Sequence, residues 1–196
     1  MFEYSKKLQY PVKIARPNPR LASVIISQYG GPDGELGASL RYLSQRYSMP
    51  FDEQKALLTD IGVEELGHLE MIGAIIHQLT RNLKDKDIVG TPLEQYFVDH
   101  TIGVYPTAAS GFPWSAASMQ VKGDPIADLS EDLAADATTS QSQHFKNSSR
   151  FPREFSLFLD HDDRSRYGRL EYLRSLGSGV LGLYTAVSIP CGYPLP

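Results

Sequence analysis

Between Leu58 and Leu79 the chain sets down Leu58, Ile61, Glu65, His68, Ile72, Ile75 and Leu79 at alternating steps of three and four. That spacing lines one side of an α-helix, so these residues are expected to form a single stripe turned toward a core. Apolar residues hold both ends of the stripe, and a carboxylate and an imidazole hold its centre. A charge buried without compensation costs several kcal/mol, so such groups pair, change protonation or bind a metal. Glu-x-x-His on a helix of a bundle is one metal-binding arrangement. Most chance copies of that spacing lie on solvated helix faces. Ile61 and Ile72 on either side argue for burial here.

The remainder of the chain bounds the answer. Its 196 residues suffice for one domain with a full hydrophobic core, and one domain over 1–196 is expected. A formal net charge of −4, with Lys and Arg scattered, makes no case for a nucleic-acid partner. No apolar run approaches the roughly 18 residues of a membrane span. The opening Met1-Phe2-Glu3-Tyr4-Ser5-Lys6-Lys7 lacks the apolar core of a secretory signal peptide. The single Cys191 excludes an internal disulfide framework and any Cys-based zinc cluster. An intracellular protein is expected.

Residues 1 to about 20 carry Pro11, Pro17 and Pro19 with Tyr4 and Tyr10, and read as an extended arm packed on this chain or a neighbour. A first helix is expected from Leu21 to Tyr47, broken at Gly30-Gly31-Pro32 and Gly34, with Glu35, Ala38, Tyr42 and Leu43 sharing one side. Met49-Pro50-Phe51-Asp52 makes a turn with Asp52 as N-cap, and a second helix runs antiparallel to about Leu83. Residues 84–123 are too rich in Pro and Gly for regular structure, yet Tyr96, Phe97, Ile102, Phe112 and Trp114 call for burial, which describes an ordered crossover. Asp124-Pro125 caps a third helix whose apolar side is Ile126, Leu129 and Leu133. After Ala135 the pattern fades into Ser, Thr and Gly, with Phe155–Asp160 and Arg169–Leu176 as short helical candidates. The fold class is therefore all-α: a four-helix bundle with a long crossover and an extended arm, its fourth helix the least marked.

Within that bundle Glu65 can bridge two metals while His68 holds one, and Glu35 on the antiparallel partner helix can cap the same metal. Oxygen-rich ligation with one imidazole per ion suits manganese or iron better than zinc or copper. Glu64, Glu70 and His77 fall off the stripe and are expected in solvent. His100, His144 and His161 have no carboxylate three residues before them, so none repeats the motif. Tyr42, two turns after Glu35, either hydrogen-bonds a ligand carboxylate or is a plain core tyrosine.

The stretches KKLQYPVKIARPNPRLASVIISQYGGPDGELGASLRYLSQRYSMP, EELGHLEMIGAIIHQL and GDPIADLSEDLAA resemble the manganese catalases, above all their short spore-coat branch. The resemblance covers residues 1 to about 135. It implies a ferritin-like bundle, a dimanganese centre and disproportionation of hydrogen peroxide to water and oxygen. Carried over by position, Glu35, Glu65 and His68 match three metal ligands and Tyr42 a neighbouring tyrosine. The family also implies a homo-oligomer, a hexamer, and, for this branch, a place in the spore coat among other coat proteins. Two rival readings stand beside it: a catalytically inactive structural coat component, and a ferritin-like diiron oxidase.

The chain departs from that family at Asp136, where the family carries a second ligand Glu, and nothing from there to Pro196 matches the family's last ligand-bearing helix. Asp136 is the candidate fourth ligand, one methylene shorter. A shifted reading frame is one hypothesis: the codons GAC GCA ACA ACG AGC CAG, less one C, read E-Q-Q-R-A, close to the family's continuation. The gene sequence tests it.

Overall fold

The computed structural model describes residues 5–90, 93–94 and 107–139. The expectations for Tyr4, for the apolar stretch from Tyr96 to Tyr105, for His100, His144 and His161, and for a fourth helix fall outside those residues. Among the described residues five α-helices follow in order: α1 (Pro19–Gly30), α2 (Glu35–Gln45), α3 (Asp52–Leu79), α4 (Asp85–Ile88) and α5 (Pro125–Thr139), with 3-10 turns at Arg46–Ser48 and Ala116–Ser118. No strand occurs among the described residues, only an isolated antiparallel bridge between Thr107 and Pro113.

The break expected after Gly30 separates α1 from α2. Asn18 caps α1, its Oδ1 accepting from Leu21 N at 3.1 Å, and Pro19 takes the first turn, where its missing N–H costs nothing. The chain then folds back on the end of α1 so tightly that a side chain at Gly34 would come within 2.6 Å of the Ser27 carbonyl oxygen. Glu35 thereby becomes the first residue of α2, and Arg46–Ser48 ends that helix in a 3-10 turn. α3 runs antiparallel to it: Ser39 Oγ donates to Gly62 O at 2.6 Å and Arg46 Nη1 to Thr59 Oγ1 at 3.2 Å. Gly62 permits this approach, since a methyl there would lie 2.7 Å from Leu43 Cγ.

Two cores flank α3. One joins Leu21, Ala22, Ile25 and Ile26 of α1 to Met71, Ile72, Ile75, Ile76 and Leu79, closed by Ile14, Ile88 and Leu93. The other holds Tyr42, Met49, Leu58, Ile61 and Leu129, with Ile126 and Leu133 packed against it. The arm lies on the chain's own α3: Gln78 accepts from Ile14 N through Oε1 at 2.7 Å and donates from Nε2 to Val12 O at 3.0 Å, much as a neighbouring strand would. Asp124 caps α5 as expected, its Oδ1 accepting from Ile126 N and Ala127 N at 2.9 Å each.

Four expectations are corrected. α3 ends at Leu79 rather than Leu83, because Thr80 leaves helical geometry and Asn82 adopts φ 66°, a left-handed conformation that asparagine tolerates. Asp52 is not the cap; Phe51 holds that position and Asp52, the first helical residue, accepts from Lys55 Nζ at 2.8 Å. Phe112 is exposed; its carbonyl accepts from Ala108 N at 2.8 Å in a tight turn at the surface. The helical path of α5 continues past Ala135 to Thr139.

Candidate metal centre

Glu35 opens α2 immediately after the glycine-rich break, and Glu65 and His68 sit at mid-length on α3. Their exposures are 3%, 1% and 0%. The antiparallel pairing fixed by Ser39 and Gly62 brings the first turn of α2 level with them. His68 Nδ1 lies 2.7 Å from Glu65 Oε2 and 4.0 Å from Glu35 Oε2. One ligand atom from each residue falls within 4.8 Å of the others, and among the described residues this is the one such group of three. At the N-terminus of α2 the unpaired N–H groups and the helix dipole favour the Glu35 carboxylate as an anion. A break in the helix is thus part of how the site is built.

Two buried carboxylates and one imidazole converge at ligand distance in a place water does not reach. A divalent cation would meet three hard or borderline donors there, a set that suits manganese or iron. The residues present therefore fit a metal ion.

Other residues distribute as follows. Tyr42 is buried in the second core, one face of its ring 5.2 Å from Arg41 Cζ. Asp136 lies in α5, with its side chain outside what the structure describes. Glu70 and His77 are exposed, as expected. Glu64 is not fully solvated: its side chain is 27% exposed and its Oε1 stands 3.8 Å from His68 Nε2. Sequence reasoning missed a buried polar clamp between α2 and α5. Arg41 Nε approaches Asp132 Oδ1 at 3.5 Å, Arg41 Nη1 donates to Gln120 Oε1 at 3.0 Å, and Gln45 Nε2 donates to Gln120 O at 3.1 Å. Asp132 alone carried a partial signal, one turn after the apolar Leu129 and one turn before Asp136, but nothing local paired it with Arg41.

The profile of the family described as manganese-containing catalase matches residues 1–145. Protein CotJC of Bacillus subtilis is 50% identical over 136 residues, covering 69% of this chain and 71% of that protein. A probable manganese catalase of Clostridium acetobutylicum is 35% identical over 138 residues, 69% of this chain and 61% of its own length. The manganese catalase KatB of Anabaena superposes with a TM-score of 0.79 at 26% identity, covering 100% of this chain and 87% of that one. Against the manganese catalase of Lactiplantibacillus plantarum the chain spans 53% of the relative's length.

Proposed function

This chain belongs to the manganese catalase family, and we propose that it is a catalase-like protein that binds manganese between α2, α3 and α5 and disproportionates hydrogen peroxide to water and oxygen. The observation that carries the reading is the buried grouping of Glu35, Glu65 and His68, three residues from two helices with ligand atoms within 4.8 Å. Glu65 would bridge, His68 would ligate through Nδ1 in its neutral form, and Glu35 would close the site from α2. Asp136, one helical turn beyond Asp132 on α5, is our candidate for a further carboxylate ligand. Two bound manganese ions would supply the two-electron exchange that reduces one peroxide and oxidises the next.

The chain's own residues set the conditions for that chemistry. Leu58, Ile61 and Ile72, buried on the same helix as Glu65 and His68, would give the site apolar surroundings that favour small molecules such as peroxide. Burial of all three donors keeps the ligand set dry, which strengthens each charge–dipole interaction around it. The relationship to CotJC supports a place in the spore coat, and family membership supports assembly into a homo-oligomer in contact with other coat proteins. A second reading rests on Asp136, which stands where the family resemblance expects a ligand Glu: a structural coat component that keeps the fold and a partial metal site.

Metal analysis of the purified protein and oxygen evolution from hydrogen peroxide separate the readings. Stoichiometric manganese with oxygen release supports the catalase, iron with oxygen consumption a diiron oxidase, and neither metal the structural role. Glu65→Ala is expected to abolish manganese loading; unchanged manganese content in that variant would remove the basis of the site.

A further inference from the structure

The imidazole of His68 is approached from two sides. Its Nδ1 faces Glu65 and Glu35, at 2.7 Å and 4.0 Å, so Nδ1 is the nitrogen turned toward the ligand set. Its Nε2 faces away from that set, and Glu64 Oε1 lies 3.8 Å from it. The helix makes this geometry. At about 100° per residue, His68 sits one turn above Glu64 and Glu65, about 40° around the axis from the first and about 60° from the second. Two consecutive glutamates therefore straddle one ring, and they differ in environment: the Glu65 side chain is 1% exposed and the Glu64 side chain 27%.

We propose that Glu64 is a positioning residue for the metal centre, accepting a hydrogen bond from His68 Nε2–H and so holding the ring with bare Nδ1 toward Glu35 and Glu65. A neutral imidazole carries one proton, and metal binding at Nδ1 places it on Nε2. The ring is wholly buried, and a buried N–H needs an acceptor. Metal-binding histidines commonly give that N–H to a carboxylate, which fixes both tautomer and orientation. A separation of 3.8 Å is longer than a hydrogen bond, so this role requires the Glu64 carboxylate to move closer to the ring when metal is bound. The functional unit on α3 is then Glu64-Glu65-x-x-His68, with one carboxylate for the metal and one for the ring.

This inference rests on the metal-binding reading above, and the experiment keeps the two apart. Manganese affinity is measured on the full chain by titration with Mn²⁺, following the electron paramagnetic resonance of the free ion. Glu64→Ala, which suits a helix and leaves no acceptor, is expected to weaken Mn²⁺ binding about 10- to 100-fold. Glu64→Gln, which keeps an acceptor oxygen, is expected to recover most of that loss. With Zn²⁺ as a diamagnetic probe, nitrogen-15 shifts of His68 are expected to show metal on Nδ1 in the parent chain and in the Glu64→Gln variant, and on Nε2 or both nitrogens after Glu64→Ala. A parent chain that binds no Mn²⁺ overturns the metal site and this role together. Tight binding by the parent and equally tight binding after Glu64→Ala overturns the role of Glu64 alone. Loss of affinity in Glu64→Gln as deep as in Glu64→Ala overturns it too, because charge rather than hydrogen bonding would then be at work.

Discussion

The two ends of α3 face different interiors. Its C-terminal half meets α1 across a seam of Ile, Leu and Met, with Ile25, Ile26, Ile72, Ile75, Ile76 and Leu79 all nearly inaccessible. Its N-terminal half meets α2, whose buried side is mostly polar: Glu35, Ser39, Arg41 and Gln45 surround the single large ring of Tyr42. Each fully buried aliphatic side chain contributes about 1.5–3 kcal/mol by leaving water, whereas each buried polar group must find partners merely to break even. The first half therefore supplies the stability that the second half consumes in order to hold charges. The metal ligands lie near the boundary: Glu65 and His68 immediately precede Met71 and Ile72 on the same helix.

The contrast can be broken most severely at the polar end. Asp132 and Arg41 are 0% and 8% exposed at the side chain. Removing one partner of a buried ion pair leaves the other uncompensated, so Asp132→Ala is expected to cost about 3–5 kcal/mol in denaturant unfolding. The same principle expects the double change Arg41→Met with Asp132→Leu to recover most of that loss. If both variants fall equally, the polar half depends on the pair for more than charge compensation. At the apolar end, Ile75→Ala is expected to cost about 2–5 kcal/mol, through lost transfer energy and the cavity left behind. Manganese bound per folded chain should be unchanged in that variant. A drop in metal content there would mean that the two interiors are not independent.

How far each region could be read from the residues follows from the same contrast. The aliphatic seam was legible because a three-and-four repeat of Ile and Leu has one physical outcome, a buried helix face. Glu65 and His68 stood out because they interrupt such a repeat. Glu35 was reachable only through the helix break and the antiparallel pairing, and the glycines that cause both are visible in Gly30-Gly31-Pro32 and Gly34. The Arg41–Asp132 clamp was not found, because its partners come from helices separated by the long crossover and no local pattern pairs them. Asp52 was misread for a different reason: the cap position went to Phe51, and the carboxylate found Lys55 one turn on. The link of Gln78 to the arm had no local signal either, since a glutamine beside a stripe reads as surface.

The smallest expected effect lies outside both interiors, at the start of α3. Lys55 Nζ hydrogen-bonds Asp52 Oδ1 at 2.8 Å, and that bond first, then the attraction of the ammonium, holds the Asp52 carboxyl below its ordinary value. A carboxyl whose folded value is depressed contributes stability above its unfolded value of about 3.9, and that contribution disappears as pH falls through the lower folded value. Here solvent screening leaves little to contribute, because the Asp52 side chain is 94% exposed. Lys55→Ala is therefore expected to raise the Asp52 pKa toward the ordinary range in a carbon-13 NMR titration. The unfolding midpoint at neutral pH should stay where it is. A measurable fall in that midpoint would mean that the end of α3 beyond the second core carries stability which the division between aliphatic seam and polar site assigns elsewhere.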